Sequence, residues 1–315
     1  MDCARGGILC ASIFLTTAAC APGRGVPLAA SKTASIATQA PRHAGETAPG
    51  AEAVLGDVSL DDNVNIALGR PRSNDEPEIL VSRDQYVLSW NEDRRDLNWA
   101  AWRLTSDDIG NTSRQNDFAV DSDLEDYLSS QDDEAVGPSE FQGSCFDRGH
   151  QVPSGDRTAS IGDNRATFLM SNMLPQTAYL NRVTWEHLEA YTRKLVQSDD
   201  DPTVYVIAGP IFSAKPSDIG PGDDIQVPSK NFKVVVEQLP GKSGSKPKFH
   251  VIAVIMPNLT SAGTDPVKDH TTACADSHKL LESFVATYAA NDWKRYEVPL
   301  AQVEREADID LSFLH

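Results

Sequence analysis

Residues 144–194 read SCFDRGHQVPSGDRTASIGDNRATFLMSNMLPQTAYLNRVTWEHLEAYTRK, and the reading of the whole chain turns on them. Asp147-Arg148-Gly149-His150 sets an acid, a base, a conformationally free residue and a titratable imidazole side by side. Gly149 admits backbone conformations that other residues resist, so it can aim His150 into a cleft. A neutral imidazole suits general-base work near neutral pH. Downstream, Asn181 precedes a predicted helix on which Glu189 and Arg193 lie one turn apart. An amide or carboxylate oxygen completed by several waters is the usual way of holding Mg²⁺. Each residue alone has a plainer reading. His150 would be a hydrogen-bonded loop residue, Asn181 a helix cap, Glu189 and Arg193 a solvated pair, and Asp156-Arg157 a surface pair.

Outward from this stretch, β-branched and aromatic runs bounded by turn residues predict strands at 79–90, 99–104, 166–171, 203–208, 232–239 and 249–256. Helical spacing predicts helices at 184–197 (Trp185, Leu188, Tyr191, Leu195, Val196) and 276–291 (Leu280, Leu281, Phe284, Val285, Tyr288). Strands that do not alternate strictly with helices imply an α+β fold, with a mixed, largely antiparallel central sheet flanked by helices.

The 315 residues are 40% hydrophobic and 23% charged, enough to bury a substantial core and unlike collagen, coiled coil or a disordered chain. Ordered pattern starts near Glu78, so residues 76–315 read as one domain. Residues 21–75, rich in Ala, Pro, Gly, Ser and Thr toward their start, read as a flexible tether. Residues 1–20 carry an apolar stretch from Ile8 to Ala19, the length of a signal peptide and short for a bilayer span. The ending Thr17-Ala18-Ala19-Cys20 resembles a lipoprotein processing site, with Thr17 where Leu is common and Cys20 as the lipid anchor. Export to the periplasm, the outer membrane or the medium is the expectation.

Cys3, Cys10 and Cys20 fall in the leader, and Cys145 and Cys274 in the body. Without a CxxC pair, a structural zinc site is not expected. The body pair can form one disulfide in an exported protein, and Cys145 lies two residues before Asp147, where such a bond would brace the loop. The net charge of −18 argues against a simple basic nucleic-acid coat protein but not against an enzyme whose cation supplies local positive charge. Residues 51–140 hold 22 acidic and 7 basic residues, whereas 141–200 hold 7 and 6. The acidity therefore lies upstream of the informative stretch.

Taken together, DRGH at 147–150, P-x-x-D at 153–156, SNMLPQ at 171–176 and LNRVTWEHLE at 180–189 resemble the DNA/RNA non-specific endonucleases, the ββα-metal nucleases. AGPIF at 208–212, VPSKNFKVVV at 227–236 and AVIMPN at 253–258 match that family's later strands in order. The resemblance implies a ββα-metal finger as active site, and DNA and RNA as substrates cut with little sequence preference to 5′-phosphate ends. It implies His150 as the base that activates water. Asn181 would be the direct ligand of one Mg²⁺ (or Mn²⁺), and Glu189 would meet the ion through water. Arg148 and Arg193 would be the cations near the phosphate, and Asn172 a supporting residue in the site, while Asp147 would hold loop geometry. Family members carry a further upstream arginine, for which Arg94 and Arg95 are the candidates here. Two other readings are a catalytically inactive nuclease-like binding module and a phosphodiesterase acting on small nucleotides. Intact His150, Asn181 and Glu189 speak against the first. The lack of a carboxylate-rich metal cluster speaks against the second.

Overall fold

The computed structural model describes residues 52–74, 78–222, 224–239, 246–279 and 289–315. The leader, the first part of the expected tether and residues 280–288 of the second expected helix lie outside them. Seven strands form one sheet: β1 (Ala53–Leu55), β2 (Ile79–Ser82), β3 (Val87–Asn91), β4 (Asp96–Leu104), β7 (Thr203–Ile211), β8 (Lys230–Leu239) and β9 (Lys248–Pro257). Their spatial order is β1-β2-β3-β4-β7-β8-β9. Only β1 runs parallel to its neighbour, and every other adjacent pair is antiparallel. The expected α+β sheet is thus present.

Three sequence expectations need correction. The run 79–90 is a hairpin of two strands, turned at Arg83, whose amide donates to the Tyr86 carbonyl at 2.9 Å. Residues 166–171 are not a strand: α2 (Ile161–Ala166) ends there, and a 3₁₀ turn at Met170–Asn172 follows. Most of the run is buried, and a short apolar run looks the same to a periodicity argument whether extended or turned. Residues 52–74 belong to the domain rather than to a tether. β1 pairs with β2, and the buried Asn63 and Asn65 bond the Ser82 hydroxyl, the Arg83 and Asp84 carbonyls and the Arg103 amide. Polar bonds rather than apolar spacing order this segment, which is why hydrophobic periodicity passed over it.

Side chains alternate across each strand, so the sheet has two apolar faces. Phe232, Val234 and Val236 join Trp99 and Val303 on one face, where α5 (Leu300–Ala307) packs. Trp102, Val206, Val235 and Val254 join Trp185 and Leu188 on the other. Between β4 and β7 the chain leaves the sheet to build the second face. There β5 (Asp147–His150) pairs antiparallel with β6 (Met173–Gln176), in the register Asp147↔Gln176 and His150↔Met173. A π-helical turn at Leu180–Trp185 leads into α3 (Glu186–Val196). Two strands and a helix therefore sit over the sheet, anchored by the fully buried Trp185, whose Nε1 donates to the His150 carbonyl at 3.2 Å. Among the described residues no helix is long and apolar enough to cross a membrane.

Candidate active site

The finger opens onto a cleft of about 750 Å³ whose walls include Arg148, His150, Asn181, Glu189 and Arg193. They come from three parts of the finger. β5 presents His150. The widened π-helical turn carries Asn181, a feature that recurs at functional sites. One face of α3 carries Glu189 and Arg193. Asn172, the remaining expected site residue, does not line the cleft. It is fully buried, accepts from the Val152 amide at 2.9 Å and donates to the Val152 and Thr167 carbonyls at 3.0 and 2.9 Å. It fixes the strand end that follows His150.

The rings of His150, Phe118 and Phe168 meet edge to face in a triangle, with centroids 5.7 Å (His150–Phe118), 4.8 Å (His150–Phe168) and 5.0 Å (Phe118–Phe168) apart. Arg148 lies over Phe118 at 3.9 Å and Arg114 over Phe168 at 4.8 Å. Burial against the two rings, reinforced by the cations Arg114 and Arg148, pushes the imidazole pKa down to about 3. The ring hydrogen-bonds the Arg148 backbone, and Nε2 is the buried nitrogen without a partner. A neutral ring with one free lone pair is what a general base requires.

Gly149 is extended rather than left-handed. A Cβ there would lie 2.3 Å from the Gln176 side chain, so close packing in the hairpin requires the glycine. Asp147 accepts from the Arg182 guanidinium at 2.6 and 2.8 Å and from Asn181 Nδ2 at 2.8 Å. Only the amide NH₂ can donate to a carboxylate, so this bond orients Asn181 and leaves its Oδ1 as the group offered to the cleft. Asn181 is no helix cap, because it lies inside the π-helical turn. Arg193 does not bond Glu189. It reaches Asp156 at 3.2 Å and Glu186 at 3.4 Å. Asp156 and Arg157, far from a surface pair, are 1% and 3% exposed. Burial raises the Glu189 carboxyl pKa, opposed by Lys233 and Arg193.

Neither upstream candidate reaches the cleft, and an arginine outside the predicted set does. Arg95 pairs with Asp224 and Glu140, and Arg94 stacks on Phe212, both outside the cleft. Arg114 lines it and donates to Ser154 Oγ at 2.5 Å. The acidic block 51–140 contributes Arg114, Phe118 and Pro138 to the cleft wall and, among the described residues, no carboxylate. Four arginines (114, 148, 182 and 193) face three carboxylates there, so the cleft is locally cationic on an anionic protein. A polyanion can enter it.

Cys145 and Cys274 are joined, with Cα atoms 4.7 Å apart, across 129 residues of sequence. This ties β5 to α4 (His270–Ser277). Arg182 doubles the link by donating to the Ser277 and Lys279 carbonyls at 3.1 and 2.7 Å. His270 lies 3.6 Å from the Cys274 sulfur. The two sulfurs are bonded to each other and offer no thiolate to a metal. Replacing both cysteines by serine is expected to lower unfolding stability by about 2–5 kcal/mol, read from urea denaturation. The unreduced, denatured full chain is expected to show no more than three free thiols, those of Cys3, Cys10 and Cys20, and five would contradict the bridge.

The family described as DNA/RNA non-specific endonuclease matches residues 65–314. The chain is 35% identical over 259 residues to a nuclease of Nostoc sp., covering 79% of this chain and 81% of that one. It is 28% identical over 190 residues to the human mitochondrial endonuclease G, covering 57% and 60%. In overall fold it is similar to a crystal structure of the EndoG/EndoGI complex, described there as showing the mechanism of EndoG inhibition. The TM-score is 0.58 at 23% identity, over 78% of this chain and 89% of that one.

Proposed function

The chain belongs to the DNA/RNA non-specific endonuclease family, and from that premise we propose that it is a Mg²⁺-dependent endonuclease in which His150 is the base and the products carry 5′-phosphates. The observation that carries this reading is the buried, partnerless Nε2 of a neutral His150 in a cleft that also holds Asn181 and Glu189. These residues fit a hard divalent cation, which takes oxygen ligands and keeps several waters. Asn181 Oδ1 would hold it directly, and Glu189 through water. When bound, the ion supplies positive charge to the phosphate and the leaving oxygen.

Within the protein, His150 Nε2 takes a proton from water as that water attacks phosphorus. The bond from phosphorus to the 3′ oxygen breaks, and the leaving oxygen is protonated from solvent. Arg148 and Arg193, joined by Arg114, set guanidinium donors toward the non-bridging oxygens. Phe118 and Phe168 keep the ring desolvated and fixed in plane. Arginines that meet phosphate carry little sequence information, which supports cleavage of both polymers. The disulfide, a bond that persists in oxidising compartments, supports export, and lipidation at Cys20 remains part of that proposal.

Digestion of 5′-labelled DNA and RNA is expected to give near-uniform ladders whose fragments ligate without prior phosphorylation. A ladder confined to one sequence, or ends that need a kinase, would overturn the reading. Arg114→Ala is expected to lower kcat/KM by about 10–100-fold, while Arg94→Ala leaves it at the wild-type level. Equal effects of the two would return the upstream arginine to the 94–95 turn.

A further inference from the structure

Lys233 occupies a position that the sheet reserves for apolar side chains. It stands on β8 opposite Ala208 and Val254, on the face where Val235 packs, and it is 1% exposed. Its Nζ lies 3.9 Å from the centre of the Trp185 ring and 5.7 Å from that of Trp102, and it donates to Glu189 Oε1 at 3.4 Å. The same two tryptophans brace the rest of the site. Trp185 Nε1 bonds the His150 carbonyl, and Trp102 Nε1 donates at 3.0 Å to Asp156, the partner of Arg193. A lone ammonium in such a place is costly, and its desolvation is offset only by a nearby carboxylate and by ring faces. Lysine at this position would be a liability in a sheet core unless the charge had a task there.

We propose that Lys233 is a positioning residue, its ammonium clamped between the Trp185 face and Glu189 so that the Glu189 carboxylate is held at the cleft wall. The inference rests on the reading of Glu189 as the residue that meets the cation through water. Lys233 cannot touch substrate, because the sheet and α3 enclose it. It acts on the reaction through Glu189, and partners of that kind are worth about 10–100-fold in activity.

The test is a double-mutant cycle of Lys233→Met and Glu189→Gln in the full chain, with kcat and KM on duplex DNA at saturating Mg²⁺ and Tm without added metal. Lys233→Met is expected to lower kcat by about 10–100-fold, leave KM unchanged and lower Tm, because Glu189 is left buried without its cation. In the Glu189→Gln background the same change is expected to cost no further activity, and the double variant to melt above Lys233→Met alone. If Lys233→Met does not fold, equal kcat for Glu189→Gln and the folded double variant supports the clamp. Independent, multiplicative losses would overturn it, as would a Lys233→Met protein with wild-type kcat beside an impaired Glu189→Gln. A fully active Glu189→Gln would remove the reading of Glu189 itself, and the clamp with it.

Discussion

His150→Ala is expected to lower kcat on DNA and on RNA by about 10²–10⁴-fold, the range in which a positioned general base contributes, and to leave binding of both polymers in place. The binding half follows from the proposed role of Arg114, Arg148 and Arg193 on the cleft wall, which would meet the phosphates independently of the imidazole. The pH dependence sharpens the expectation. With the His150 pKa depressed from 6.5 to about 3, the ring becomes protonated only as pH falls through the lower value. Between pH 5 and 8 the base is therefore already in its working form. At saturating Mg²⁺ the rate is expected to show no inflection near pH 6.5. A tenfold fall per pH unit below 6.5 would mean that the ring is solvated and its packing against Phe118 and Phe168 open. The same shift bears on stability. The unfolded chain takes up the His150 proton as pH falls below 6.5 and the folded chain does not, so this contribution to stability is full above pH 6.5 and is lost on the way down to pH 3.

Asn181→Ala is the second large effect, about 10²-fold or more in kcat at millimolar Mg²⁺. The side chain is half-buried and, among the described residues, bonds only Asp147, so its removal is expected to leave the fold and the disulfide in place and the melting temperature nearly unchanged. Titration with Mn²⁺ in the absence of substrate is expected to show the weakened site directly. Wild-type Mn²⁺ affinity and wild-type rate in this variant would move the cation elsewhere in the cleft. A protein that loses activity together with its near-ultraviolet circular dichroism would instead show that Asn181 is needed to hold the π-helical turn.

What could be read from the chain beforehand was what the finger carries in contiguous sequence. DRGH and LNRVTWEHLE, with Arg193 one turn beyond, place His150, Asn181, Glu189 and Arg193 at fixed offsets on a strand, a turn and a helix, and the structure gathers those four in one cleft. Contacts between distant segments left no such trace. Arg114 and Phe118 reach His150 from an irregular loop, and nothing in their local pattern distinguishes them from any exposed arginine and aromatic. Gly149 was noticed for the wrong reason, because the neighbour that excludes a side chain, Gln176, comes from the partner strand. Residues 166–171 are as apolar as a strand yet turn, since their backbone bonds go to Asn164, Arg165 and Ala119 instead of a ladder. Lys233 did leave a signal. In the alternation Phe232-Lys233-Val234-Val235-Val236 a lysine shares the face of Val235, and a charge at a core position of a strand points to a buried partner.

The measurement that bears most directly on the account is degradation of plasmid DNA and of RNA by the wild-type protein and by His150→Ala, each with Mg²⁺ and with EDTA. The account predicts loss of both polymers with wild type and Mg²⁺, and intact polymers in the other three lanes. Cleavage in EDTA, or cleavage by His150→Ala at the wild-type rate, would contradict it. A folded wild-type protein that binds both polymers and cuts neither with any divalent ion would show a nuclease fold used for binding alone.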